Sequence, residues 1–402
     1  MVQQWGRTLA GEPGGSVLVD VGTSTVSGVR GPGAPELAAK IGYVGHPVLQ
    51  TLALDAADTA ALGSHFARTG LLYEQPRVSD DDTFTDPFGV EWLWSQGAPA
   101  PLNHPLEDAD PPAVARHPRP EWPRLVQPAP RTGGAARPLV VADAPCSGLI
   151  ETCFQLRNSW QFMMDITDNW RVANALLDWA LESVATGYER MLAALPSPPD
   201  VVLYGDDYGY QGGMFLSDED FRTFVRPRLR TLFSRIRRQT AAAVCFHCCG
   251  AVASILPDLA DLGVELVNLQ YDAKGMELDR VRAQLPASMV LHGYTDLLAL
   301  GHALAKDDRR SIAVLTDELV RSAPVVAAPV DSLATEEELF AVARAAHFVR
   351  ALTDDDIERL RRLGPVREVL DRAAAAAAHE VPRLAGGTPS PEPAHQSSTE
   401  RR

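Results

Sequence analysis

A chain of 402 residues, 46% hydrophobic and 22% charged, is long enough for one large α/β barrel with appendages or for two smaller domains. A net charge of -15 and an isoelectric point near 5.1 argue against nucleic acid as a partner, because phosphate binding needs a basic face. No stretch approaches the roughly 20 apolar residues that span a bilayer, and residues 1–15 lack a signal peptide's apolar core, so a cytoplasmic location is expected. Composition rich in Ala, Arg and Pro points to a high-GC bacterial source.

In chain order, residues 1–14 read as an N-terminal extension to a barrel over 15–385. Val17–Val21 reads as a strand ending in Gly22-Thr23-Ser24. Residues 80–137, rich in Pro, Asp and Trp, read as an irregular excursion over one end of the barrel. Leu139–Ala142 is a strand, followed by helix from about Trp160 to Leu195. Further strands are expected at Val201–Tyr204, Ala242–Phe246, Val264–Leu269, Met289–Leu291 and Val325–Ala328. Between them, Ser217 with Asp220 three residues on marks a helix start. Phe221, Val225, Leu229 and Leu232 continue it at helical spacing, with a kink at Pro227. Residues 386–402 read as a disordered tail. Strands alternating with helices imply parallel pairing through crossovers, and at this length a (β/α)8 TIM barrel is favoured. No Gly-x-Gly-x-x-Gly turn supports a dinucleotide fold.

A barrel gathers the C-terminal ends of its strands on one active face. Here those ends carry Asp20, Asp143, Asp206-Asp207, His247-Cys248-Cys249, Gln270, His292 and Asp331. His247 and Cys249, two apart on a strand, would share the inward face, and imidazole with thiolate favours zinc. Cys248 would point outward, and Cys245 would lie about 13 Å deeper than Cys249. A buried thiol that merely packs is the competing reading. Five cysteines, three of them at 245, 248 and 249, do not form a disulfide framework. Of the adjacent Asp206 and Asp207, only one is expected to face the site. It could serve as a general base, a partner of the histidine or a substrate clamp, or else stabilise a turn. His292 is either catalytic or a satisfied structural group, and Gln211 either a substrate donor or a solvated amide. His104 reads as structural; Trp92 and Trp94 would line a pocket or anchor the excursion.

The run Tyr204-Gly205-Asp206-Asp207-Tyr208-Gly209-Tyr210-Gln211, then Ser217 to Arg222 and Arg226-Pro227, resembles a segment of the uroporphyrinogen decarboxylase superfamily. Phe246-His247-Cys248-Cys249-Gly250, Ala273-Lys274-Gly275-Met276 and Gly22-Thr23-Ser24 resemble further elements of it, and the likeness covers roughly residues 15 to 350. The decarboxylase's arginine-rich N-terminal signature has no match, so the resemblance leans toward the methyltransferase branch. It implies zinc held by His247 and Cys249, activating a small thiol acceptor, with a methylated corrinoid on a partner protein as donor. The third ligand would fall near Ala328–Ser332, where no cysteine stands and Asp331 offers an oxygen. Asp206, Asp207 and His292 are then the expected catalytic groups, with Tyr204, Gln211, Gln270 and Asp20 contacting a small-molecule substrate. A homodimer is expected by analogy. Two alternatives stay open: a metal-free decarboxylase using Arg30, Arg77 or Arg157 for substrate carboxylates, and a non-catalytic ligand-binding barrel.

Overall fold

The computed structural model describes residues 2–10, 17–28, 43–44, 51–52, 56–73, 83–95, 98–127, 137–329, 333 and 335–378. Eight parallel strands form the framework: β1 Leu18–Val19, β2 Phe66–Leu71, β3 Leu139–Ala142, β4 Val201–Gly205, β5 Ala243–Cys248, β6 Leu266–Leu269, β7 Val290–His292 and β8 Val325–Ala327. Ladders join β2 to β3 and onward in sequence to β8, which pairs with β1. Between β1 and β2 the seam is made by His65, whose N–H donates to Val19 O at 2.8 Å while its Nδ1 accepts from Val19 N at 3.0 Å. The chain is thus a (β/α)8 barrel, as expected from the alternating pattern.

Side-chain alternation sorts each strand into two faces. Leu18, Phe66, Val201, Leu203, Cys245 and Val290 point inward and pack as one buried cluster. Helix α1 (Val2–Leu9) adds Trp5 to that cluster, edge-on to Phe66 at 5.8 Å, so the segment expected as a mere extension contributes to the barrel core. Outward residues such as Val202, Tyr204, Phe246 and Leu291 meet the helix layer. That layer includes α2 (Leu149–Arg157), α3 (Ser159–Asp168), α4 (Trp170–Ala194) and α5 (Arg226–Gln239).

The expected helix start at Ser217 is present, its hydroxyl accepting from Asp220 N at 3.0 Å. Before Pro227 the chain does more than kink. Residues Phe221–Val225 widen into a π-helical turn in which Arg226 N donates to Phe221 O, accommodating the proline's missing N–H.

The excursion is more regular than its composition implied. Strands Thr83–Thr85, Glu91–Ser95 and Ala98–Pro101 form an antiparallel sheet, and helix Pro111–Arg116 packs on α4. Pro99 and Pro101 sit on an edge strand, where a missing N–H is tolerated. Buried Asp86 organises the turn, accepting from Phe88 N, Val90 N and Trp92 Nε1 at 2.8, 3.0 and 3.0 Å. Trp92 therefore anchors the excursion. The side chain of Trp94 and the 386–402 tail lie outside the described residues. Among the described residues no helix is long and apolar enough to cross a membrane.

Candidate metal and active site

At the C-terminal ends of the strands the inward positions change from apolar to polar: Asp20, Arg68, Asp143, His247, Asn268 and His292. Ladder register decides which of them meet. His247 on β5 pairs with Asn268 on β6, and Val267 pairs with Leu291, which sets Asn268 beside His292 on β7. Buried polar groups are tolerated only with partners. Here they form a chain: His247 Nδ1 to Asn268 Oδ1 at 2.7 Å, Asn268 Nδ2 to His292 Nδ1 at 2.9 Å, and His292 Nε2 to Asp20 Oδ2 at 2.8 Å. Thr23 donates to the other Asp20 oxygen.

The exposed end of that chain opens on a donor cluster. Ligand atoms of Asp207, His247 and Cys249 all lie within 4.8 Å of one another, and all three residues are half-buried. Cys249 Sγ stands 3.6 Å from His247 Nε2. A tetrahedral zinc with bonds of about 2.0–2.1 Å to nitrogen and 2.3 Å to sulfur would place those atoms about 3.6 Å apart. Asp207 Oδ1 is 3.9 Å from His247 Nε2 and accepts from Cys249 N at 2.7 Å, so one carboxylate both faces the pair and braces the turn that bears the thiol. The turn is held from its other side by Gly250, whose N–H donates to Gln270 Oε1 at 2.8 Å. Gly250 has φ +86°, and a Cβ there would fall 2.3 Å from the backbone of Gly209, so a side chain is excluded twice over. A nitrogen, a sulfur and an oxygen donor converging with this spacing fit a zinc ion, with a fourth position left for a substrate atom.

The adjacent aspartate has the opposite fate. Asp206 turns outward and is fully buried, accepting from Tyr204 and Tyr208 hydroxyls at 2.8 and 2.6 Å and from Ile150 and Glu151 N–H groups, each at 3.0 Å. Burial pushes its pKa up against those four donors, and pushes the two tyrosines well up. It caps the start of α2, where Gly148 leaves room for it: a Cβ at Gly148 would lie 2.2 Å from Asp206 Cβ. Asp206 and Tyr204, expected as a catalytic group and a substrate contact, both face the buried helix layer instead, Tyr204 through strand alternation and Asp206 through the turn after β4. Cys248 goes outward with them, as expected, accepting from Tyr208 N at 3.3 Å, and burial raises its thiol pKa.

The remaining expectations divide. Asp20 and His292 lie in the polar layer but are bonded to each other and buried at 1% and 5% exposure, behind the cluster rather than at its surface. Gln270 braces Gly250, while Gln211 is exposed and its carbonyl accepts from Lys274 N. Arg157 is committed to Asp165 at 2.8 Å and to the Leu106 and Ala109 carbonyls, which leaves it unsuited to clamp a substrate carboxylate. His104 is structural, its Nδ1 on Gln155 O at 2.8 Å. Asp331, Arg30 and Arg77 lie outside the described residues. Sequence reasoning missed Asn268 and Arg68, whose Nε donates to buried Asp143 at 3.0 Å. One signal for Asn268 was present: it is the single amide at an inward period-2 position of the otherwise apolar Leu266–Leu269.

Residues 155–304 match the family model described as Uroporphyrinogen decarboxylase (URO-D). Among solved structures, the chain is similar to a methyltransferase from Methanosarcina mazei at 21% identity and a TM-score of 0.56, covering 85% of this chain and 97% of that one. A dihydropteroate synthase from Yersinia pestis aligns at 16% identity and a TM-score of 0.28, over 50% of this chain and 77% of that one. Comparison with curated proteins finds no match in sequence.

Proposed function

On the match of residues 155–304 to the uroporphyrinogen decarboxylase family model, we propose that this chain is a zinc-assisted methyltransferase of that superfamily. It would move a methyl group from a methylated corrinoid on a partner protein to a small thiol or similar acceptor. The observation that carries this reading is the converging donor set of Asp207, His247 and Cys249 at the barrel mouth. The likeness to the Methanosarcina mazei methyltransferase supports the fold on which such a site is built.

In this reading Asp207 takes the third ligand position that Asp331 was expected to fill. Zinc bound there would hold the acceptor thiol as its thiolate, which a free thiol of pKa near 8.5 mostly is not at neutral pH. The chain's own groups do the rest. Asn268 orients the His247 ring, Asp207 and Gln270 fix the turn that presents Cys249, and an apolar layer packs the barrel below them.

The test is methyl transfer from free methylcobalamin to a panel of small thiols under anaerobic conditions. Zinc-loaded wild type should accelerate transfer, and Cys249→Ala and Asp207→Ala should each lower the rate by about 100-fold or more, since loss of even an outer partner of a metal ligand costs ~10–100-fold. Full activity after chelation would overturn the zinc role. Release of carbon dioxide from uroporphyrinogen, with no methyl transfer, would return the decarboxylase reading.

A further inference from the structure

We propose that Asn268 is a positioning residue that locks His247 in the tautomer with its proton on Nδ1, and that His292 and Asp20 lock the amide that does so. The donor and acceptor identities of Asn268, His292, Asp20 and His247 fix this arrangement. Asn268 Nδ2 lies 3.0 Å from the carbonyl oxygen of His292, an atom that can only accept. That contact fixes which end of the amide is nitrogen. The second N–H of the same group reaches His292 Nδ1 at 2.9 Å, so Nδ1 of His292 supplies the lone pair. The proton of His292 is then on Nε2, where Asp20 Oδ2 receives it at 2.8 Å, and Thr23 donates to the other Asp20 oxygen.

With the amide so oriented, its oxygen faces His247 Nδ1 at 2.7 Å and cannot donate, so Nδ1 of His247 carries the proton. The Nε2 lone pair is left pointing at the Asp207–Cys249 corner, with Cys249 Sγ at 3.6 Å placed to donate its S–H there. Reversing the amide would set its oxygen against the His292 carbonyl and against the Nδ1 lone pair. Asn268, His292 and Asp20 are 5%, 5% and 1% exposed, so water is poorly placed to relieve either clash. A histidine free in water prefers its proton on Nε2, the tautomer that would block a metal, and the relay therefore imposes a state the side chain would not choose. The relay links Asp20, just past β1, to the ring of His247 on β5 through two intervening side chains.

The tautomer lock is a property of the metal-free protein. Its consequence for zinc rests on the function proposed above, and the experiment separates the two. The histidines, ten in the chain, are labelled with 15N, and the His247 signals are assigned by their loss in His247→Gln. Spectra are taken near pH ~8, above the ordinary histidine range, on wild type, Asn268→Leu and His292→Leu. Wild-type His247 should show a protonated Nδ1 and an unprotonated Nε2. Asn268→Leu should shift His247 toward the Nε2–H form; His292→Leu, which keeps the backbone carbonyl that orients the amide, should shift it less. Zinc affinity of Asn268→Leu, read by competition with a chelator, should fall by ~10–100-fold. An Nε2–H tautomer in wild type overturns the proposal, as does an unchanged tautomer in folded Asn268→Leu; a shifted tautomer with unchanged zinc affinity overturns its consequence for zinc. Should a variant fail to fold, the wild-type spectrum still decides the tautomer. A locked Nδ1–H in wild type with no zinc binding would overturn the zinc reading while leaving the relay in place.

Discussion

Two clusters, each with one aspartate and one cysteine, stand back to back at the ends of β4 and β5, and their difference explains the site. Facing inward, Asp207, His247 and Cys249 are half-buried and aim donor atoms at a common point. Facing outward, Tyr204, Asp206, Tyr208 and Cys248 are buried at 0–1% exposure and spend their polar atoms on one another and on the start of α2. Neighbours in sequence thus acquire opposite roles, Asp206 against Asp207 and Cys248 against Cys249. What separates them is the strand's two-residue alternation and the partners each face supplies, not the chemistry of the side chain.

The outward cluster can be broken most severely at its centre. Asp206→Ala leaves two tyrosine hydroxyls and two backbone N–H groups of α2 without their acceptor. At about 1–3 kcal/mol for each such group, and with relaxation, a loss of about 3–5 kcal/mol in urea unfolding is expected. Zinc affinity of the fraction that folds should be unchanged. Near-normal stability would show that this carboxylate is not the structural pin described here.

A titratable group at the barrel seam sharpens the same distinction. Burial, reinforced by Arg350, pushes the pKa of His65 down to about 4 from 6.5, and its Nδ1 lone pair is used by Val19 N. A histidine whose folded pKa is depressed contributes full stability above its unfolded pKa and loses it as pH falls. The loss should run from about pH 6.5 toward 4 and approach about 3 kcal/mol. Urea midpoints against pH should show that slope in wild type and lack it in His65→Gln.

Smaller effects separate the adjacent thiols. In metal-free protein Cys249 should be the one cysteine of five that reacts with a thiol reagent before unfolding, because the other four are buried at 0–2% exposure and burial raises their pKa values. Zinc should protect it. Cys248→Ala should cost about 1–2 kcal/mol through lost packing and the lost acceptor for Tyr208 N, whereas Cys249→Ala should change metal-free stability by less than about 0.5 kcal/mol. Equal reactivity of both thiols would erase the contrast between the two faces.

Alternation is also why so much of the barrel was readable from sequence. Apolar runs of strand length between helical periods sufficed for the (β/α)8 order, and His247-x-Cys249 with Cys248 turned outward followed from the two-residue repeat. The assignment of Asp206 and Asp207 to opposite faces could not be completed that way, because β4 ends at Gly205 and the direction of the turn depends on Cys249 N reaching Asp207. Asp331, the third donor expected after β8, lies outside the described residues; the oxygen that the described residues bring to the pair, Asp207, stands on the loop after β4, 42 residues from Cys249 in sequence. Asn268 was passed over because its role exists only in register with His247 and His292, which are contributed by two different neighbouring strands. The excursion's small sheet was hidden for another reason: its regularity hangs on the local acceptor Asp86, in a stretch whose prolines read as loop.

If the inward cluster of Asp207, His247 and Cys249 is a metal site, metal content reports it. Untagged wild type, Cys248→Ala, Cys249→Ala and Asp207→Ala are incubated with zinc, passed through a desalting column and measured by mass spectrometry. About one zinc per chain is expected in wild type and in Cys248→Ala, with the metal lost from Cys249→Ala and Asp207→Ala. Wild type without zinc, or Cys249→Ala and Asp207→Ala that keep it, would rule the metal site out.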